Sequence, residues 1–591
     1  MDVEAWLMVA VGALVLVVVV SILASRIGVA TPLVLVLVGI GIGYIPGVPL
    51  ITVDPEVILF AVLPPLLYAA AVNVPILDLR RNLTPVGGLS VVLVIISAII
   101  VGVLLHLVVP AIPLAAAIAL GAVVAPTDAV AATAIGKRVG MPPRLVTILE
   151  GESLVNDATS LVLLRTAIAA VAGGFVFWEA TLQFAYAVAL AVLIGLIVGA
   201  LTVWVRSRLV NPVYDTVVTF TVPFLAFAPS EYFGASGVLA VVITGLYSGH
   251  YALSKFSAGA RLNERLNWRT VQFLLENGVF LIMGLELHSL VNEVASSSLH
   301  LGHTLTIALS VVAVLIVLRF AFIVPMTWGM ARNLPRVEAR AKERKQAARE
   351  AKQFTPPELR TNTHAIEIQR LDQRARRSAA DAAHAKEQGL DIRGATILSW
   401  SGMRGVVTLA AAQSIPTAVP YRSQIVLIAF LVAIITLILH GLTLPPLVRA
   451  LRPNGRSRDD HSNEIESLTE DLLAAGNAAL ESAVERARVT AEHDDLHEPI
   501  SDKSIARARI SLESALASLR LKQHRLDSHE AESGTIPTLS ETQRYLHLVQ
   551  VILDAQRSVL LEARAVGEYS SDVLAAATEA LDIHEMRLVR K

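Results

Sequence analysis

The sequence predicts an all-α membrane protein of about 13 transmembrane helices, followed by a cytoplasmic helical tail. Three observations carry that expectation. Of the 591 residues, 54% are hydrophobic and the mean hydropathy is +0.61, against roughly 45–50% apolar residues in soluble domains. The apolar residues fall in long runs up to about Ala450, and no long run follows Arg452. Basic residues occupy every second connection between the runs, the bias of cytoplasmic loops. The net charge of −1 averages over these two unlike regions. Cysteine is absent, which excludes disulfides, thiolate metal sites and cysteine nucleophiles.

A helix needs about 20 apolar residues to cross about 30 Å of hydrocarbon. The expected spans lie near 5–24, 30–45, 56–73, 85–109, 113–136, 145–170, 181–204, 215–229, 235–251, 270–289, 303–330, 395–416 and 424–449. Asp2 and Glu4, not a basic stretch, precede the first run, so it is read as a retained span and not as a secretory signal. The odd connections carry Arg26, then Arg80 and Arg81, then Lys137, Arg138 and Arg144, then Arg206 and Arg208, then Lys255, Arg261, Arg265 and Arg269, and finally the basic segment 332–393. The even connections carry almost none, with Arg422 as the exception. This places the N-terminus outside and the tail in the cytoplasm of an inner or plasma membrane. The division expected is a transmembrane domain over 1–452, with a cytoplasmic insert at 332–393, and a helical regulatory domain over 453–591.

Six spans, a linker and six more allow an inverted repeat in which span 5 corresponds to span 12. Both are interrupted at mid-depth, by Ala125-Pro126-Thr127-Asp128 in one and Ser401-Gly402-Met403-Arg404-Gly405 in the other. Paired interruptions of this kind point to a transport site.

Ionisable groups at membrane depth cost about 2.5–3.5 kcal/mol each by the lower scales, so they need a reason to be there. Asp128, Asp157, Glu276 and Arg404 stand out, with Glu152 and Arg165 on the span of Asp157. Helical i, i+4 spacing stacks Ser153 on Asp157 and Glu152 on Asn156. A hydroxyl, two carboxylates and an amide are oxygen ligands of the kind hard cations take. Asp128, beside Pro126 and Thr127, adds a further carboxylate. Desolvation disfavours a bare carboxylate, so one at mid-depth holds either a proton or a cation, and that competition is the chemistry of an antiporter.

Alternatives stand beside each assignment. Asp157 is also readable as a hydrogen-bond anchor between helices, and Asp128 as a helix cap after Pro126. Asn156 is readable as an amide holding a carboxylate or a broken helix end. Ser153, Thr159 and Ser160 are readable as packing residues. Glu152 and Arg404 are expected to pair, since an unpaired buried charge is costly. Glu276 and Arg165 are a second candidate pair, and Arg319 either snorkels or has a partner the sequence does not identify. His250 and His440 are expected near the interfaces.

These residues resemble a known family. Met141-Pro-Pro-Arg-Leu-Val-Thr-Ile-Leu-Glu-Gly-Glu-Ser-Leu-Val-Asn156-Asp157-Ala-Thr-Ser looks like the signature of monovalent cation:proton antiporters of the NhaP/NHE type, as does Ala125-Pro-Thr-Asp128-Ala-Val. Leu63-Pro-Pro-Leu-Leu-Tyr68, the block from Glu276 to Leu285 and Trp400-Ser-Gly-Met-Arg404-Gly-Val-Val resemble further motifs, so the likeness runs from about Met1 to Arg452. The resemblance implies a homodimer with a mobile core of crossed, broken helices that moves in an elevator-like way. It implies that Asp157 binds the cation or proton and that Thr127, Asp128 and Ser153 add ligands. It gives Glu152 and Arg404 a structural role. It also associates Asn156-Asp157 with electroneutral exchange, consistent with an amide removing one titrating charge. Ala69 stands where many members carry Glu, which puts any ligand set using that Glu in question.

The insert 332–393 reads as two charged helices around Pro356-Pro357, either a surface facing anionic lipid or a solvated spacer. The tail is patterned for helices over 462–492, 501–527 and 540–586, with Tyr545, Leu548, Val549, Ile552 and Leu553 on one stripe. Seven histidines in the tail allow pH control, with simple solvation as the alternative. The function expected is exchange of Na⁺, or Li⁺ or K⁺, for H⁺ in pH homeostasis, with membrane lipid and a second copy as partners. A regulatory ligand or protein at the tail is left unidentified. No nucleic acid and no cofactor are called for. K⁺/H⁺ exchange is the nearest alternative, followed by a channel or sensor gated by the tail. An enzyme is not expected, because no in-span His serves Ser153 and no His-Glu-x-x-His string occurs.

Overall fold

A computed structural model describes the chain except residues 1–2, 28, 47–53, 172–176, 210, 296–300, 355–361, 388–390, 452–457, 494–499, 522–538 and 590–591. The described residues contain helices and no strand. In chain order, the first helices are α1 (Val3–Ile27), α2 (Thr31–Gly43), α3 (Leu63–Asn73), α4 (Ile76–Arg81), α5 (Leu83–Gly87), α6 (Val94–Val108), α7 (Leu114–Val124) and α8 (Ala129–Val139). Next come α9 (Pro143–Val171), α10 (Phe177–Arg206), α11 (Pro212–Tyr232), α12 (Gly237–Lys255), α13 (Ala258–Ala295), α14 (Leu301–Phe354) and α15 (Asn362–Glu387). Last are α16 (Ile392–Trp400), α17 (Val406–Gln413), α18 (Arg422–Leu451), α19 (Arg458–His493), α20 (Asp502–Leu521), α21 (Leu539–Val566) and α22 (Ser571–Val589).

Among the described residues, ten helical stretches are long and apolar enough to cross a membrane, and Thr31–Gly43 and Val57–Asn73 are shorter apolar helices. The run expected at 395–416 is two short helices, α16 and α17, separated by residues 401–405. Ahead of α3 the chain makes a π-helical turn over Val57–Val62, in which the Leu63 N–H reaches the Ile58 carbonyl. Pro64 and Pro65 follow at the start of α3. They have no N–H for the carbonyls one turn back, so the regular ladder cannot continue.

The chain divides into two compact units. The first comprises Met1–Ala252, Glu264–Arg332 and Gln388–Gly455. Within it α7 packs on α6 and α9, and α18 packs on α7, α8 and α17. Its apolar core includes Leu120, Ile148, Leu398 and Phe430.

The second unit comprises Leu253–Asn263, Asn333–Glu387 and Arg456–Lys591. Leu468 and Leu472 of α19, Leu512 and Leu516 of α20, and Leu548 and Ile552 of α21 form its core, which also buries Leu253. Arg261 bonds to both carboxylate oxygens of Asp582, through Nε at 2.9 Å and through Nη2. Asp372, half-buried on α15, is held below the usual carboxylate range by its bond from Lys352, with Arg376 adding to the effect.

Two tail and insert expectations change in detail. The first insert helix is a continuation of α14, because the Ala, Arg, Lys and Glu that follow the apolar run are themselves good helix formers. The helix expected over 540–586 is two, α21 and α22, because Gly567 takes a left-handed conformation (φ 75°) that ends α21. The Pro356-Pro357 break and the 452/453 boundary lie outside the described residues.

Candidate cation site

The site is assembled from two interrupted helices and the long α9 beside them. The α7 helix stops at Val124, and Asp128 restarts the chain as the N-cap of α8, its Oδ1 accepting from the Val130 N–H at 2.8 Å. Asp128 is thus a cap, as one reading of the sequence had it, and it also lines the cavity described below. The second interruption, between Trp400 and Val406, meets the first: the Asp128 N–H donates to the Met403 carbonyl at 2.7 Å. At Gly405 a Cβ would fall 1.7 Å from Asp128 Oδ2, so only glycine lets the two breaks approach this closely.

Buried polar groups hold the breaks in place. Asn156 donates from Nδ2 to the Thr127 carbonyl at 3.0 Å and lies 3.2 Å from the Thr127 hydroxyl. This is the structural role that one reading of Asn156 anticipated. The Thr127 hydroxyl donates to Glu152 Oε1 at 2.7 Å. In this conformation, therefore, both Thr127 oxygens are engaged by protein.

The expected pairing of Glu152 with Arg404 is not what forms. Glu152 is clasped by Arg319 of α14, with Nη1 to Oε1 at 2.5 Å and Nη2 to Oε2 at 2.8 Å. Arg319 also donates from Nε to the Leu398 carbonyl at 3.2 Å. Arg404 instead reaches backbone, from Nε to the Val124 carbonyl at 3.0 Å and from Nη1 to the Gly402 carbonyl at 2.5 Å. The last carbonyls of a helix have no intrahelical donor and carry partial negative charge, so the end of α7 takes the guanidinium that the sequence assigns to Glu152. The second expected pair also differs. Arg165 meets Glu231 at 2.6 Å, while Glu276 accepts from Gln272 Nε2 at 2.7 Å. His440 is buried against Trp400, ring centroids 5.1 Å apart.

A cavity of about 400 Å³ opens between these elements. Asp157, Asp128, Ser153, Thr127, Glu276 and Thr408 all line it. Asn156, Glu152 and Arg404 do not, so among the expected residues the structure separates cavity lining from support. Asp157 is 6% exposed, and among the described residues its carboxylate has no hydrogen-bond or ion-pair partner. A pocket that holds a buried, uncommitted carboxylate beside other side-chain oxygens suits a desolvated monovalent cation or a proton. Ala69 also lines this cavity. Gln272, Glu276 and Thr408 are lining residues that the sequence reading did not assign to the site. The i, i+4 spacing of Gln272 and Glu276 on α13 is the signal that could have found the first two.

The sequence model of the transmembrane sodium/hydrogen exchanger family matches residues 13–450. The chain is 28% identical over 466 residues to an uncharacterized Na(+)/H(+) exchanger of Mycobacterium tuberculosis, covering 76% of this chain and 75% of that one. It is 29% identical over 412 residues to a protein of Bacillus pumilus named a sodium, potassium, lithium and rubidium/H(+) antiporter, covering 67% of this chain and 54% of that one. Its fold resembles that of the sodium proton antiporter MjNhaP1 from Methanocaldococcus jannaschii, with TM-score 0.54 and 18% identity over 75% of this chain and 99% of that one.

Proposed function

This chain belongs to the sodium/hydrogen exchanger family, a family of transporters and not of enzymes, and from that premise we propose that it exchanges Na⁺ for H⁺ by letting the two compete for Asp157. The observation that carries the reading is the uncommitted Asp157 carboxylate in a cavity it shares with Asp128 and Ser153. Charge stranded in a low dielectric is disfavoured. Asp157 is therefore occupied either by a proton or by a cation that Asp128 and Ser153 help to ligate. Asn156 donates to Thr127 and does not ionise, so one titrating carboxylate at this position fits one-for-one, electroneutral exchange. The crossed breaks tie α7–α8 to α16–α17, and the pair fits a unit that moves together in an elevator-type cycle. We further assign the protein to a homodimer in the plasma or inner membrane, with its N-terminus outside and its tail in the cytoplasm.

A second reading is broader selectivity that includes K⁺ and Li⁺, favoured by the name of the Bacillus relative. One experiment addresses both. Cation-driven pH change is measured in proteoliposomes with Na⁺, Li⁺ and K⁺ in turn, for wild type and Asp157→Asn, with the membrane potential clamped and then free. Exchange that Asp157→Asn abolishes, indifferent to potential, is the expected result, and the active ions name the selectivity. Full exchange by the variant would remove Asp157 from the site.

A further inference from the structure

A second cavity lies in the first unit beside the cation cavity. It occupies about 680 Å³ between the α1–α2 junction, α8, α13 and α18, within the roughly 300–1,000 Å³ range of small-ligand sites. Its lining is mostly apolar and includes Pro32, Ile135, Phe273 and Leu442. Two guanidinium groups, Arg138 and Arg449, complete it.

The charges are placed asymmetrically. On α8 the lining runs from Val130 to Val139 and includes Arg138, and on α18 it runs from Gly441 to Arg449. Each arginine therefore stands about 12 Å of helix rise from the first lining residue of its own helix. Both are exposed. Arg138 has a long contact to the Val29 carbonyl at 3.4 Å, and Arg449 has no hydrogen-bond or ion-pair partner among the described residues. A titratable group, Glu276, lines both cavities together with Val130 and Ala134. Its carboxylate is held by Gln272, a residue that lines only the cation cavity.

An apolar chamber between membrane helices, with two exposed guanidinium groups on its wall, is complementary to an amphiphile with an anionic head. Guanidinium binds phosphate oxygens in a bidentate fork, and arginines at the ends of membrane helices attract anionic lipid. We infer that this chamber holds one anionic phospholipid, its phosphate on Arg138 and Arg449 and an acyl chain lying along α18. A lipid seated there lies against Val130, Ala134 and Glu276, the wall shared with the cation cavity.

The test uses the full chain, delipidated in detergent and then offered phosphatidylglycerol or phosphatidylcholine, with bound lipid counted by native mass spectrometry. Wild type is expected to keep one phosphatidylglycerol at activation energies that strip phosphatidylcholine. Arg138→Gln/Arg449→Gln should lose that retention several-fold. Gly441→Leu should lose it too while keeping both arginines, because it narrows the chamber along α18. A Cβ at Gly441 meets nothing nearer than Leu33 Cδ1 at 3.9 Å, and Gly441 itself lines the chamber. Equal retention of the two lipids by wild type overturns the inference. So does loss in the arginine variant with full retention in Gly441→Leu, which would mean a headgroup held only on the surface.

Discussion

The Asp128 N–H donates to the Met403 carbonyl at 2.7 Å, so two helices broken 275 positions apart in the chain are joined at a residue that lines the cation cavity. An interruption in a membrane helix leaves backbone groups that hydrocarbon cannot satisfy. Here each break supplies a partner for the other, and Arg404 covers the Val124 carbonyl that would otherwise be left over.

Gly405 is the tightest point of that crossing. Gly405→Ala would put a Cβ 1.7 Å from Asp128 Oδ2, and overpacking of this kind costs about 1–3 kcal/mol. Thermal unfolding in detergent should show a lowered midpoint and proteoliposomes a loss of exchange. Gly278→Ala, where nothing lies within 4 Å, should leave both unchanged.

Glu152 and Arg319 are expected to behave as a buried pair. Arg319→Met strands Glu152 and should cost about 3–5 kcal/mol, with much of it recovered in Glu152→Gln/Arg319→Met. A double-mutant cycle reads the coupling. The coupling of Glu152 with Arg404 should be clearly smaller, since Arg404 bonds to backbone.

Asn156 works as a donor. Asn156→Ala and Asn156→Val both remove the bond to the buried Thr127 carbonyl, at about 1–3 kcal/mol for the group left unmade. Stability should fall in both variants, and apparent cation affinity should fall less in Asn156→Ala than in Asp157→Asn. Unchanged unfolding in Asn156→Ala would argue that the break is held by other groups.

In the second unit, Asp582 receives Arg261 with both oxygens and is almost fully buried. Asp582→Ala leaves that guanidinium buried without its carboxylate and should cost about 3–5 kcal/mol. Hydrogen exchange should report it as faster amide exchange at residues 253–263 and in α22.

His584 supplies a pH dependence of defined sign. Its imidazole is held below the usual histidine range by burial and then by Arg587, and its Nε2 lies 2.8 Å from Ser511 Oγ. The unfolded chain therefore binds the proton first. Stability from this group is complete above the unfolded value of about 6.5 and is lost as pH falls through the lower folded value. Exchange protection of α20 and α22 should weaken on acidification below about pH 6.5, and His584→Gln should flatten that response.

The features that the sequence determined are local or periodic. Apolar runs of membrane length, alternating basic loops and the proline and glycine at 125–128 and 401–405 all act through their own backbone, so they are legible without neighbours. The stripe of Leu548, Val549, Ile552 and Leu553 is buried in the core as its spacing required. The grouping of Asp157, Ser153 and Asp128 was legible as well, because charge at membrane depth needs a reason wherever it stands. Tertiary structure alone decided which charge answers which. Arg319 lies 167 positions from Glu152, and a buried ion pair is chosen by the geometry of a guanidinium fork and by which carbonyls are left open nearby. Neither quantity exists until the helices have packed.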